Sequence, residues 1–241
     1  MRFPFVLMYH SVGQGVGAEE DPYQLTVTPE RLDAQLRALR RQGLRGMSMR
    51  DLLASGGRGV GLTFDDGYVD FVEEAVPVLR RHGATATVYV LAGRLGGDNS
   101  WDADAPRKPL MTADQVRESA AAGMEIGSHG LMHRHLPQLD DRELTAELVQ
   151  SRSRLADVIG APVDGLAYPY GDLGPREVAA ARAAGYDNAV AVDVAGTGVA
   201  AGRHALPRSY AGQRDGGLRL LAKRARARLR EVREMREVRA G

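Results

Sequence analysis

Apolar positions along this chain follow two alternating periods. Short β-branched or aliphatic runs bounded by glycine or polar turns predict strands, and TATVYVLAG (85–93) is the clearest of them. FPFVLMY (3–9), VGLTF (60–64), MEIGSH (124–129), GLAYP (165–169) and residues 187–192 repeat the pattern, with a last short strand near 205–208. Between these runs the spacing changes to that of a helix. Leu32, Leu36 and Leu39 mark one over 29–42, opened by Thr28 ahead of Pro29. Further helices are predicted over 69–82, 112–122, 140–159 and 175–184, followed by Gly83, Gly123, Gly160 and Gly185.

Strands that alternate with helices of this length build βαβ units and a parallel sheet, and seven or eight units in one chain favour a closed barrel. The expected fold class is α/β, a (β/α) barrel of about seven parallel strands with a C-terminal basic helix. No linker or composition break precedes residue 211, so residues 1–211 read as one barrel domain and residues 212–241 as a helical tail.

A barrel of this kind carries its functional groups at the C-terminal ends of the strands. His10 follows the first strand, Asp65 and Asp66 the VGLTF strand, His129 the MEIG strand, and Tyr168-Pro169-Tyr170-Gly171 the GLA strand. His129 and His133 lie four residues apart, a spacing that can hold one ion. A catalytic zinc site commonly takes three His or carboxylate ligands and keeps a position open for water. Two histidines want one carboxylate and the Asp65-Asp66 pair offers two: one to complete the site, the other to act as general base on the bound water. The implied cofactor is one divalent metal ion, zinc first, with other first-row divalent ions as alternatives. Gly130 excludes the His-Glu-x-x-His pattern. His135 is one side chain too many for a minimal site and is expected at the surface. His82 is expected only to complement a helix C-terminus.

Composition narrows the function classes. The chain has 241 residues and no cysteine, so disulfides and thiolate metal sites are excluded. Net charge is +1, but residues 218–241 hold nine Lys or Arg against three Glu, leaving a weakly acidic body that argues against a nucleic-acid enzyme. The tail places Leu218, Leu221, Ala225, Leu229 and Val232 on one helical stripe among arginines. It is expected to dock or dimerise, with weak contact to an anionic membrane surface or an acidic partner as the sharper alternative. The N-terminal apolar run is too short for a signal-peptide core, which places the protein in the cytoplasm, or peripherally at the inner membrane surface. Oligomeric state is not legible.

TFDDG (63–67), SHGLMH (128–133) and AYPYG (167–171), in this order and at these separations, resemble the polysaccharide deacetylase family, the NodB-homology group of carbohydrate esterase family 4. The resemblance runs from about Val6 to Tyr210, including the LMYHSV opening and the LPRS segment. It implies a distorted (β/α) barrel that removes acetyl groups from N-acetylated sugars with a divalent metal. It also implies Asp65 as general base, Asp66, His129 and His133 as metal ligands, and the Tyr170 backbone N–H in the oxyanion hole. The chain departs from the family pattern at two places. Leu166 and Ala167 stand where the third motif usually carries an arginine, and HALPRS replaces the late Leu-x-His motif. Arg208 is the candidate to replace that arginine, and His204 or His10 to protonate the leaving amine.

Trp101, the only tryptophan, lies in the long polar loop before residue 112, where it serves as a sugar platform or covers an apolar patch. Tyr168 and Pro169 are the other substrate-side candidates. The expected substrate is an intracellular N-acetylated sugar: a glycoside, a biosynthetic precursor or a lipid-linked saccharide. The alternatives are a hydrolase of a non-sugar amide or cyclic ureide, and a catalytically silent sugar-binding module. A silent module has no need of Asp65.

Overall fold

In the computed structural model, which describes residues 4–14, 17, 19, 21–192, 194 and 197–240 (side chains to residue 229), the predicted alternation closes on itself. The chain runs through β1 (Val6–Tyr9), a small side pair β2 (Ser11–Val12) and β3 (Thr26–Val27), α1 (Pro29–Arg41), β4 (Gly46–Met47), α2 (Met49–Ala54) and β5 (Val60–Phe64). A helical segment with wide i→i+5 turns, Phe71–Ala75, leads into α3 (Val76–Arg81), followed by β6 (Thr87–Val90), α4 (Ala113–Ala121), β7 (Glu125–Ser128) and α5 (Asp141–Ile159). Then come β8 (Gly165–Ala167), α6 (Pro175–Ala183), β9 (Asn188–Ala191), β10 (Leu206–Pro207), β11 (Ser209–Tyr210) and α7 (Gly217–Ala240).

The main sheet is parallel throughout, in the order β10-β9-β8-β7-β6-β5-β1-β11, with β4 paired to the start of β5. β10 and β11 are the two ends of this path, yet only Arg208 separates them in sequence. One segment therefore bonds β9 with its first half and β1 with its second, and the sheet becomes a distorted barrel. The Arg208 N–H donates to the Ala191 carbonyl at 2.9 Å, and the Ala211 N–H to the Met8 carbonyl at 2.9 Å, continuing the ladder on either side. Counting the two halves apart gives eight strands on the path, where the sequence predicts about seven.

The helices form the outer layer and their apolar rows seal the barrel. Leu32, Leu36 and Leu39 of α1 are buried as their spacing requires, each contributing roughly 1.5–3 kcal/mol by transfer from water. Thr28 caps α1 by accepting from the Arg31 N–H, and Asp140 and Glu143 make a reciprocal capping box at the start of α5. The 69–82 helix is split by its wide-turn start. β4 and α2 were not anticipated: two strand residues and six helical residues are too few to display a period. The strand predicted from residue 3 starts at Val6, after Pro4, which has no N–H for the ladder; Phe3 lies outside the described residues.

The helix placed after residue 211 begins at Gly217, and the segment ahead of it is stitched to α1. The buried Gln35 side chain donates to the Gly212 and Asp215 carbonyls at 3.1 and 2.8 Å, and the Thr28 N–H donates to Gln213 Oε1 at 2.9 Å. Among the described residues, no helix is long and apolar enough to cross a membrane.

Candidate metal and catalytic centre

β5 delivers Asp65 and Asp66 to the C-terminal rim of the barrel, and β7 delivers His129. The turn after β5 is tight. Asp66 and Gly67 both have positive φ (72° and 74°), and a Cβ on Gly67 would stand 3.3 Å from the Val90 backbone. On the neighbouring strand, the His129 N–H donates to the Val90 carbonyl at 2.9 Å, which holds the two loops side by side. His133 follows on a loop that also needs positive φ, at Gly130 (80°) and at His133 itself (60°). Asp66, His133 and Tyr170 are three of the four non-glycine residues with positive φ among those described, so backbone strain is concentrated at this rim.

Asp66, His129 and His133 are all buried, and one ligand atom from each lies within 4.8 Å of the others. His129 Nε2 and His133 Nε2 stand 3.3 and 3.4 Å from Asp66 Oδ1. Those distances do not resolve into hydrogen bonds: Asp66 Oδ1 is a buried acceptor without a donor aligned to it. A carboxylate oxygen so placed, facing two imidazole nitrogens, has the donor set of a His₂-carboxylate metal site. The His129 ring is fixed by its other nitrogen, with Nδ1–H donating to the Ala167 carbonyl at 2.9 Å, so Nε2 faces Asp66. Burial opposes charge on Asp66, but His129 and His133 outweigh it and hold its carboxyl well below the usual range. Burial likewise lowers His133, whereas at His129 the neighbouring Asp66 and Asp65 prevail over burial and raise it.

Asp65 points to a different partner. Arg208, brought in from the closing segment, grips it with both arms: Nη1 to Oδ1 at 2.6 Å and Nη2 to Oδ2 at 2.7 Å. Nη1 also donates to Thr63 Oγ1 at 3.1 Å, on β5 itself. Burial raises the Asp65 carboxyl, but Arg208, aided by His129 and His10, lowers it below the usual value. His10 lies close enough to both aspartates to help hold each of them ionised, and its Nδ1 is buried without a hydrogen-bond partner.

An aromatic wall stands over the histidines. Trp101 stacks on His133 with ring centroids 4.6 Å apart, and Arg94 lies 5.2 Å above the indole. Its loop is ordered from within: Asn99 Oδ1 accepts from the Lys108 N–H at 2.8 Å, and Arg94 donates to Ser100 Oγ at 2.8 Å. Tyr170 meets His133 edge-on at 4.4 Å and stacks on His135 at 3.7 Å, leaving its outer face exposed. His135 is therefore part of this wall, anchored by Asp172 Oδ2 at 2.6 Å from its Nδ1. His82 pairs with Asp33 at 2.7 Å, away from the rim, and lowers the Asp33 carboxyl.

Three predicted site residues lie elsewhere. His204 sits at the opposite end of the barrel, its Nε2 2.9 Å from the Tyr186 carbonyl just ahead of β9, and cannot protonate a leaving group at the rim. Tyr168 is fully buried, and its hydroxyl donates to the His204 carbonyl at 2.9 Å, so it braces the wall of the barrel. Pro169 is buried beneath the histidine loop, where a Cβ on Gly130 would lie 3.6 Å from its ring.

Two further residues belong to the centre. Glu147 of α5 is buried, and its Oε1 accepts from the Leu131 and Met132 N–H groups at 2.9 and 2.6 Å, fixing the loop between the two histidines. Asp102, next to Trp101, is held above the usual carboxylate range by partial burial and by the charge of Asp66. In sequence, Glu147 reads as one more charge on an amphipathic helix and Asp102 as one more polar loop residue.

Residues 54–189 match the family model described as polysaccharide deacetylase. YxkH of Bacillus subtilis (strain 168), which carries a polysaccharide deacetylase name, is 26% identical over 210 residues, covering 84% of this chain and 69% of that protein. Streptococcus pyogenes deacetylase PplD, solved in complex with acetate, superposes with a TM-score of 0.76 at 24% identity, covering 92% of this chain and 98% of that one. IcaB from Ammonifex degensii superposes with a TM-score of 0.73 at 24% identity, covering 94% and 97%.

Proposed function

The chain belongs to the polysaccharide deacetylase family, and from that premise we propose that it hydrolyses the N-acetyl group of an amino sugar at the Asp65–Arg208 and Asp66–His129–His133 centre. The observation that carries this reading is the division of labour between the adjacent aspartates. One converges with two histidines; the other is clamped ionised beside them.

Asp66, His129 and His133 are the residues that would hold a divalent metal, zinc first. Such an ion, when bound, supplies Lewis-acid polarisation of the acetamide carbonyl and lowers the pKa of water. The chain's own groups do the rest. Asp65, kept ionised and aimed by Arg208, accepts the proton of the attacking water. The Tyr170 N–H, in the strained turn after β8, is the donor proposed for the developing oxyanion. His10, with an unpaired Nδ1 at the rim and charge coupling to both aspartates, is the group proposed to return a proton to the leaving amine. The Trp101 and Tyr170 faces offer apolar surface to a sugar ring.

Acetate release from an N-acetylated amino-sugar oligomer tests the proposal. Wild type is expected to release acetate, and Asp65→Asn to fall by about 10²–10⁴-fold, the usual contribution of general base catalysis. Equal release by both proteins would remove Asp65 from the reaction. Binding of the oligomer without release by wild type would favour a silent sugar-binding module.

A further inference from the structure

α7 has two apolar faces, and the fold uses only one of them. Leu220 is buried, and Ala227 packs beside it against the core. At about 100° per residue, Leu218, Leu221, Ala225 and Leu229 fall on the opposite side. Leu218 is 84% exposed, Leu229 70% and Leu221 39%; the predicted fifth member of the stripe, Val232, lies outside the residues whose side chains are described. Arg219 and Arg226 flank this outer stripe on one edge and Arg228 on the other, and residues 218–229 include no acidic side chain. A docked helix ordinarily turns charge toward water; this one turns out leucines edged by arginines.

A second feature lies alongside. Between α7 and the barrel is a cavity of about 600 Å³, lined by Phe5, Leu44, Arg58, Arg226, Ala227 and Arg228 among others, with no acidic residue in its wall. Its barrel wall is built from residues around the starts of β1, β4 and β5, together with Val192 and the closing segment 207–210. Apolar floor and cationic edge together suit an anionic amphiphile.

We propose that α7 is a membrane-surface helix that seats on acidic phospholipids. Leu218, Leu221 and Leu229 enter the acyl boundary, while Arg226 and Arg228 pair with lipid phosphates at the mouth of the cavity. Charge complementarity selects this occupant. A second copy of the same face would bring arginine against arginine around the leucines, whereas an anionic leaflet supplies the opposite sign across the whole stripe. The inference stands apart from the catalytic reading: of the residues at the centre only Arg208 also lines the cavity, and the proposal gives it no part.

Co-sedimentation of the full chain with vesicles tests it, using phosphatidylcholine alone and phosphatidylcholine mixed with phosphatidylglycerol. Binding is expected only to the mixed vesicles, weakening with added salt. Arg226→Ala with Arg228→Ala is expected to lower the partition coefficient roughly 30-fold, from about 1 kcal/mol per cationic residue at an anionic surface. Leu218→Ser with Leu229→Ser, which leaves the docked Leu220 in place, is expected to lower binding while Tm and acetate release stay at wild-type values. Three results would overturn the proposal. One is equal sedimentation with both vesicle types. Another is release from the mixed vesicles by millimolar inorganic phosphate at constant ionic strength, which marks a soluble-anion site. The third is a dimer in sedimentation velocity that the leucine changes dissolve, which makes the stripe a self-association surface.

Discussion

Asp65 and Asp66 are adjacent, buried and of like charge, so each needs its own counter-charge to remain ionised. Asp66 has the two histidines; Asp65 has the bidentate guanidinium of Arg208. Removing that guanidinium in Arg208→Met leaves a buried carboxylate unpaired and free to turn. We expect a loss of about 10²-fold in kcat/KM, the scale of a small misplacement in an active site, and about 3–5 kcal/mol of stability. Arg208→Lys should recover only part of the activity, since an ammonium lacks the planar fork. The folded pKa of Asp65 lies below its unfolded value, so its contribution to stability is present at neutral pH and is lost as pH falls through the folded pKa. In Arg208→Met burial acts on Asp65 without the guanidinium to oppose it, so the part of the acid fall in Tm that Asp65 supplies should shrink. Asp70 gives the opposite sign. Burial pushes its carboxyl up to about 6 against hydrogen bonds from Ser11 and Val12 and the charge of Lys108, with Glu73 adding to the rise. Its contribution is present below the unfolded pKa and declines as pH rises through about 6, so Asp70→Asn should flatten the fall in Tm between about pH 4 and 6. An unchanged slope would assign that fall to other groups. The convergence of Asp66, His129 and His133 beside Asp65 was legible because their motifs bring residue type, order and strand position together. Arg208 was legible only as a candidate, because nothing in LPRS says where its side chain ends. His204 misled because a histidine near the expected late motif carries no mark of which end of the barrel it occupies.

At the scale of elements, the histidine loop owes its shape to a helix that contributes no ligand. Glu147 accepts two backbone N–H groups from between His129 and His133, and Gly130 leaves room for it, since a Cβ there would meet Oε1 at 3.3 Å. Glu147→Ala strands both amides and is expected to cost about 1–3 kcal/mol in urea unfolding. It should also weaken zinc binding by about 10–100-fold, as loss of an outer partner of a metal site does. Glu147→Gln retains the accepting oxygen and should restore most of the zinc affinity; if it binds no better than the alanine variant, hydrogen bonding to the loop is not what Glu147 supplies. α5 itself was plain in the sequence as a helix over 140–159 closed by Gly160, and the structure adds the Asp140–Glu143 capping box and the left-handed conformation of Gly160. Its task under the loop was not, because a buried glutamate and a solvated one look alike at helical spacing. α2, β4 and β11 stayed hidden for a simpler reason: they are too short to repeat.

At the scale of the whole molecule, the alternation of strand and helix was enough to predict a closed parallel barrel, because consecutive parallel strands each need a helical crossover to return. The closure at residues 206–210 was only partly visible, since that segment takes its meaning from β9 and β1, both distant in sequence. The same long-range assembly governs how a metal should act on stability. Residues 66, 129 and 133 meet only when β5 and β7 lie in the same barrel, separated by β6. An ion held by all three therefore binds the native state and not the unfolded chain. At free zinc about 100-fold above its Kd, that linkage adds about 2.7 kcal/mol, or about 5–10 °C in Tm for a domain of this size. Wild type stripped with chelator and titrated with zinc should show this rise at pH 7. It should lose the rise toward pH 5, as the histidines take up protons that compete with the ion. His133→Ala, which removes one ligand and leaves the Asp65–Arg208 pair in place, should show little of it. An equal rise in wild type and in His133→Ala would put the stabilising ion somewhere other than this centre. No rise in either would leave the buried Asp66 oxygen to be satisfied by protonated histidine, and the metal would drop out of the proposed chemistry.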